Sequence, residues 1–110
     1  MEAKELRIGN YVYSNKFVIK SYGVDGFINI LKNIDNFTPI PLTEEWLVKF
    51  DVLFGFNHCG SYYSFELGLD GYDLRLNYGI GVSKYIGSCK YLHQLQNLYF
   101  ALTNKELTIK

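Results

Sequence analysis

Between Tyr72 and Tyr78 the chain alternates. Tyr72, Leu74, Leu76 and Tyr78 share one parity; Asp73, Arg75 and Asn77 share the other. A period of two predicts a strand buried on one face. Residues 61–67 predict the strand before it, across a turn at Asp70-Gly71. Residues 80–86 predict the strand after it, across a turn near Gly79. Connections this short make a sheet antiparallel. Nearer the start, residues 6–13 predict a strand with a bulge or bend at Gly9-Asn10. Residues 17–24 and 27–31 flank Asp25-Gly26, a pair favoured in two-residue hairpins, and so predict two more strands. In "FTPIPL", Pro39 and Pro41 lack amide donors, which makes this piece an edge strand or an extended connector.

Two stretches carry the helical period instead. In "TEEWLVKFDVLFG", Thr43 is a candidate N-cap, Glu44 and Glu45 suit the positive helix start, and Gly55 suits its end. Trp46, Leu47, Leu53 and Phe54 fall within about 60° of Phe50 on a helical wheel, with Val48 and Val52 opposite. The other stretch, residues 89–103, has Ser88 as its expected N-cap and Asn104 as a left-handed end. Around Leu95 gather Tyr91, Leu92, Leu98, Tyr99 and Leu102, a core stripe. On the far side His93, Gln96, Asn97 and Phe100 recur at i, i+3, i+4 and i+7. An aromatic among hydrogen-bonding side chains suits a face that docks on a partner. The same pattern suits a face covered by the other helix, through Val48 and Val52, or by the N-terminal segment. The expected fold is α+β in the order β-β-β-α-β-β-β-α. It is a strongly bent antiparallel sheet or partial barrel of about six strands, covered by two helices. "ELTIK" is expected to add a short terminal strand.

Length and composition narrow this picture. A chain of 110 residues predicts a single domain, 1–110, large enough for a core of its own. Eleven basic residues balance eleven acidic ones, which argues against binding nucleic acid through its phosphates. Ten tyrosines and eight phenylalanines suit half-exposed strands and equally suit binding surfaces. Two cysteines make no disulfide framework. "MEAKELRIGN" lacks the apolar region of a signal peptide, and no apolar run is long enough to span a bilayer. The expected setting is therefore cytoplasmic, with no membrane partner.

His58, Cys59, Cys89 and His93 have the composition of a tetrahedral zinc site, but adjacent His-Cys is an unusual ligand pair and no CxxC anchors it. A Cys–His nucleophile lacks an oxyanion loop, and no glycine-rich phosphate cradle is present. The reading is a non-enzymatic protein with no catalytic residue, no metal and no cofactor. Tyr62 and Ser64, alternating with Tyr63 and Phe65 in a strand whose inward parity the pattern leaves open, join His93, Gln96, Asn97, Phe100, Val48 and Val52 as candidate partner-binding residues.

Three blocks carry a resemblance. "KELRIGNYVY" (4–13), "PIPLTEEWLVKF" (39–50) and "KYLHQLQNLYFALTNKELTIK" (90–110) resemble small proteins of Bacteroidetes phages and prophages. They cover a little under half of the chain, and Asn104 stands where the family tends to have glycine. The family has no catalytic motif to carry over. The resemblance implies a protein that binds and redirects a host protein. An anti-CRISPR protein aimed at a type VI RNA-guided RNase effector is one such kind. The expected partner is then a host protein or nucleoprotein effector, gripped by a monomer or dimer through its protein part. The alternative is a phage structural or assembly protein that self-associates.

Overall fold

The computed structural model describes residues 6–14, 17–20, 23–79 and 81–109. They form an α+β arrangement of six strands and three helices. Two compact units divide them, Met1–Pro41 with Tyr91–Glu106 and Leu42–Lys90 with Leu107–Lys110.

The first unit holds a hairpin and two helices. Strand β1 (Tyr11–Ser14) pairs antiparallel with β2 (Phe17–Lys20), Val12 opposite Ile19. Helix α1 (Gly23–Lys32) follows. A strand, a turn at Asp25-Gly26 and a second strand were expected here. The turn dipeptide was misleading: Phe27, Ile30 and Leu31 sit at i, i+3 and i+4, which is helical spacing. Asp25 in the first turn and Lys32 in the last both match the helix dipole. Ser21 and Tyr22, inside the expected strand, lie outside the described residues.

Pro39 and Pro41 sit in an extended connector. Thr38 exchanges backbone hydrogen bonds with Tyr13 at 2.9 Å each way, and the Ile40 carbonyl accepts the Leu92 amide at 2.7 Å. Helix α3 (Leu92–Thr103) begins later than expected, with Tyr91 in the N-cap position. The Gln94 side chain reaches back and accepts the Tyr91 amide at 3.0 Å. At the other end Asn104 adopts the expected left-handed conformation, φ 58° and ψ 25°, and its amide closes the helix on the Phe100 carbonyl. Val12, Ile30, Ile40, Leu92 and Leu95 are the buried apolar side chains of this unit.

The second unit is built on a four-stranded antiparallel sheet. Its order is β3 (Phe56–His58), β4 (Ser61–Gly68), β5 (Gly71–Gly79) and β6 (Val82–Cys89). The sheet stays open, with β3 and β6 at its edges. The meander read from the alternation is present, with β3 as an additional strand. The expected strand start at Ile80 lies outside the described residues, as does Lys110. Residues 105–109 form no strand. Two register shifts, at Leu74/Arg75 and Asn77/Gly79, interrupt the β5–β6 pairing, and bulges of this kind bend a sheet.

Helix α2 (Glu44–Lys49) precedes the sheet and is shorter than expected. Asp51 takes φ 58°, a left-handed residue that a helix does not pass through. The wheel therefore fails beyond Phe50. Val52, placed opposite the core, is buried, while Phe54, placed in the stripe, is exposed. Trp46, Leu47 and Phe50 are buried as expected, and the Trp46 and Phe50 rings stack at 5.9 Å.

Candidate protein-docking surface

The face of α3 bearing His93, Gln96, Asn97 and Phe100 is used inside the first unit. Residues 7–11 lie along it as a strap. Gln96, 1% exposed, accepts the Tyr11 amide at 2.9 Å and donates to the Gly9 carbonyl at 3.0 Å. Asn97 Oδ1 accepts from Asn10 Nδ2 at 2.9 Å and from Arg7 Nε at 3.2 Å. The Arg7 guanidinium lies 4.3 Å above the Phe100 ring, donates to the Gln96 carbonyl at 3.2 Å, and pairs with Glu106. His93 is buried with its ring stacked on Tyr91, centroids 5.9 Å apart.

The covering of this face by the N-terminal segment, one of the two readings of its polarity, is thus what the fold adopts. His93 and Gln96 reach no solvent, and neither does Val52. They present nothing for a partner to touch. Asn97 and Phe100 are half-buried beneath the strap. Helical periodicity finds a polar face; it does not say what lies on it.

Tyr62 and Ser64 have a different setting. The register aligns Glu66, Asp73 and Ser88 in one row across β4, β5 and β6, and Ser64, Arg75 and Tyr85 in the next. Tyr62, Asn77 and Ser83 make a third. Alternation, with the register shift at Ile86 bringing Ser88 to the side of Tyr85 and Ser83, puts all nine on one face of the sheet. The opposite face carries Phe56, Tyr63, Phe65, Leu74 and Leu76, with Phe56 stacked on Tyr63 at 5.0 Å. The question of which parity faces inward is thereby answered: Tyr63 and Phe65 belong to the apolar side.

The polar face is knitted by its own side chains. Asn77 Nδ2 donates to Ser64 Oγ at 2.9 Å, and Arg75 Nε to Glu66 at 3.2 Å. Ser88 Oγ donates to Asp73 at 2.7 Å and lies 2.6 Å from the Tyr85 hydroxyl. Such cross-linking holds the side chains in fixed rotamers before any partner arrives, which lowers the entropy cost of binding.

Beside this face lies an apolar lip. Val48, 56% exposed, and Phe54, 84% exposed, flank a shallow hollow of about 270 Å³ lined also by Asp51, Leu53 and Gly55. The Tyr62 hydroxyl donates to the Phe54 carbonyl, which ties the lip to the sheet. Gly55, at φ 101°, sits against the Tyr63 carbonyl, where a side chain would collide. Phe54 was missed because a helix was expected to carry it inward. Leu67 and Leu69 are exposed at the β4–β5 tip.

The candidate metal residues do not form a ligand set. Among the described residues no group of three or more His, Cys, Asp or Glu side chains is placed to hold a metal ion. Cys59 is exposed, its Sγ 3.3 Å from His58 Nε2, whereas Cys89 is buried in β6. Burial pushes the Cys89 thiol up to about 11 from the usual 9.0. A thiol reagent at neutral pH is expected to modify Cys59 at once and Cys89 only on unfolding. A raised thiol pKa favours the neutral form in the folded state. Its stabilising contribution is complete below pH 9 and is lost as pH rises to about 11. Urea titrations across this range should show native stability falling by at most about 3 kcal/mol more than that of Cys89→Ala. Equal pH slopes for the two proteins would refute the assignment.

No helix among the described residues is long and apolar enough to cross a membrane. No family model matches this chain, and neither a curated protein nor a solved structure is significantly similar to it.

Proposed function

We propose that this chain is a non-enzymatic binding protein of phage or prophage origin that attaches to a host protein in the host cytoplasm. An RNA-guided nuclease effector is the proposed target and inhibition the outcome. The observation that carries the reading is the Phe54 lip. A phenylalanine 84% exposed beside Val48 and Tyr62 combines an apolar anchor with a hydrogen-bonded polar surround. Interface centres have this make-up, with aromatic anchors and few charges. The balanced charge of the chain supports contact with the protein part of an effector, not its RNA. The resemblance to phage proteins supports the choice of a host target.

Affinity capture from host lysate, with and without RNase, tests this. A captured nuclease that survives RNase is the expected result. A Phe54→Ala, Val48→Ser double variant should lose the capture while its urea midpoint moves little, because exposed side chains contribute only about 0.5 kcal/mol each to folding. Recovery of phage proteins alone, from a host that makes the effector, would overturn the inhibitor reading.

A self-associating phage assembly protein is the second reading. Leu67 and Leu69, both exposed at the β4–β5 tip, favour it. Light scattering separates the two: a stable higher oligomer favours assembly, and a monomer or dimer favours host binding.

A further inference from the structure

Strand β6 is an edge. It has β5 on one side and, over residues 82–88, no strand on the other among the described residues. Val82, Ser83, Lys84, Tyr85 and Ser88 are all exposed, so none of the described segments buries these side chains. Just past the strand, the Lys90 carbonyl does accept a neighbour, the Leu42 amide at 2.9 Å, from an extended piece of the same chain. Extended backbone therefore already adds to this margin at its end and stops there. The remaining residues carry outward donors and acceptors whose complement is another extended backbone.

Charge says which kind. The strand VSKYIGSC holds one cation, Lys84, and no acid. Lys84 is exposed and forms no ion pair among the described residues. Edge lysines discourage pairing between identical edges. Two copies paired antiparallel with Lys84 opposite Lys84 would set like charges together, whereas an acidic strand would be attracted.

We propose that the open edge of β6, residues 82–88, accepts an extended acidic segment of a partner protein as a fifth strand. Main-chain hydrogen bonds supply the affinity, and side chains next to Lys84 and Tyr85 supply the selection. This rests on the binding-protein reading above and names the kind of segment recognised. The Ile86 bulge, where Leu74 pairs Gly87 and Arg75 pairs Tyr85, sets the register that an added strand must follow.

The test uses the full chain and two synthetic peptides of about eight residues, matching the strand. Both alternate valine and threonine; one carries glutamates at two threonine positions and the other lysines. Amide exchange is followed by NMR. The glutamate peptide is expected to slow exchange within residues 82–88. The lysine peptide should bind about fivefold more weakly, the effect of one exposed ion pair. Lys84→Glu should reverse the order. Unchanged exchange with both peptides, equal binding of both, or protection confined elsewhere would overturn the proposal. Lysate capture is read separately. A host nuclease captured equally by native and Lys84→Glu chains would overturn the edge while leaving the binding reading intact. Peptide protection without any captured host protein would do the reverse.

Discussion

Gln96→Leu is expected to destabilise the chain by about 2–6 kcal/mol, a large share of the roughly 5–15 kcal/mol that holds a domain folded. The volume barely changes and no cavity opens. What is lost is a matched pair of hydrogen bonds to main chain, from the Tyr11 amide and to the Gly9 carbonyl, at a side chain with no access to water. Removing one partner from a buried bond costs about 1–3 kcal/mol, and here two bonds go together. Urea unfolding should show a lower midpoint with an unchanged slope. Gln96→Glu makes a sharper test. Its ionised carboxylate still accepts from Tyr11 but confronts the Gly9 carbonyl with a second acceptor. Burial and the facing carbonyl raise the pKa of this carboxyl, so stability should return in part as pH falls toward the ordinary glutamate value of about 4, where the group is protonated and donates again. A loss under about 1 kcal/mol for Gln96→Leu would mean that the strap is not held by these bonds.

Gly71→Ala should cost about as much, for a different reason. Gly71 opens β5 at φ 115°, opposite Gly68. A methyl there would meet the Cys89 carbonyl oxygen and Lys90 Cα, both backbone atoms that cannot swing aside. Backbone strain of about 1–3 kcal/mol adds to an overpacking cost of about 1–3 kcal/mol. At about 4–8 °C per kcal/mol for a chain of this size, the melting temperature should fall by more than about 8 °C. Gly81→Ala is the control. Its φ is 73°, but open space surrounds the position, so only the backbone cost of about 1–3 kcal/mol applies. Equal losses at the two positions would remove steric collision as the cause.

The sheet was legible in the sequence because its signal is local. Tyr72 to Tyr78 alternate, and that parity gives the β4–β5 pairs of the polar face, while the register shift at Ile86 that adds Ser88 to it has no local signal. The end of α3 was legible too, since Asn104 tolerates left-handed backbone. Helix α1 was misread because Asp25-Gly26 is a strong turn signal that also fits inside a helix. The reach of α2 was overestimated because nothing in the letters of Asp51 announces a positive φ. At the candidate site the difficulty was one of distance along the chain. The partners of Gln96 and Asn97 lie 85 to 90 residues away, beyond what periodicity can report. Val48 came through as exposed because its own helix placed it; the face of Tyr62 needed the register of the sheet, and Phe54 was placed by a helix that had already ended.

Trp46 gives the molecule its own optical probe. It is the one tryptophan in the chain, buried in α2 with Phe50 stacked against it and the Lys49 ammonium 4.5 Å from its ring. Its emission should be blue-shifted in the native state and move to the red as Leu42–Lys90 opens. The other unit has no indole, so its melting is silent in selectively excited tryptophan emission and is followed in the far ultraviolet through α1 and α3. Superimposed fluorescence and circular-dichroism curves would mean that the two units unfold as one cooperative system. Separated midpoints would give each unit its own stability.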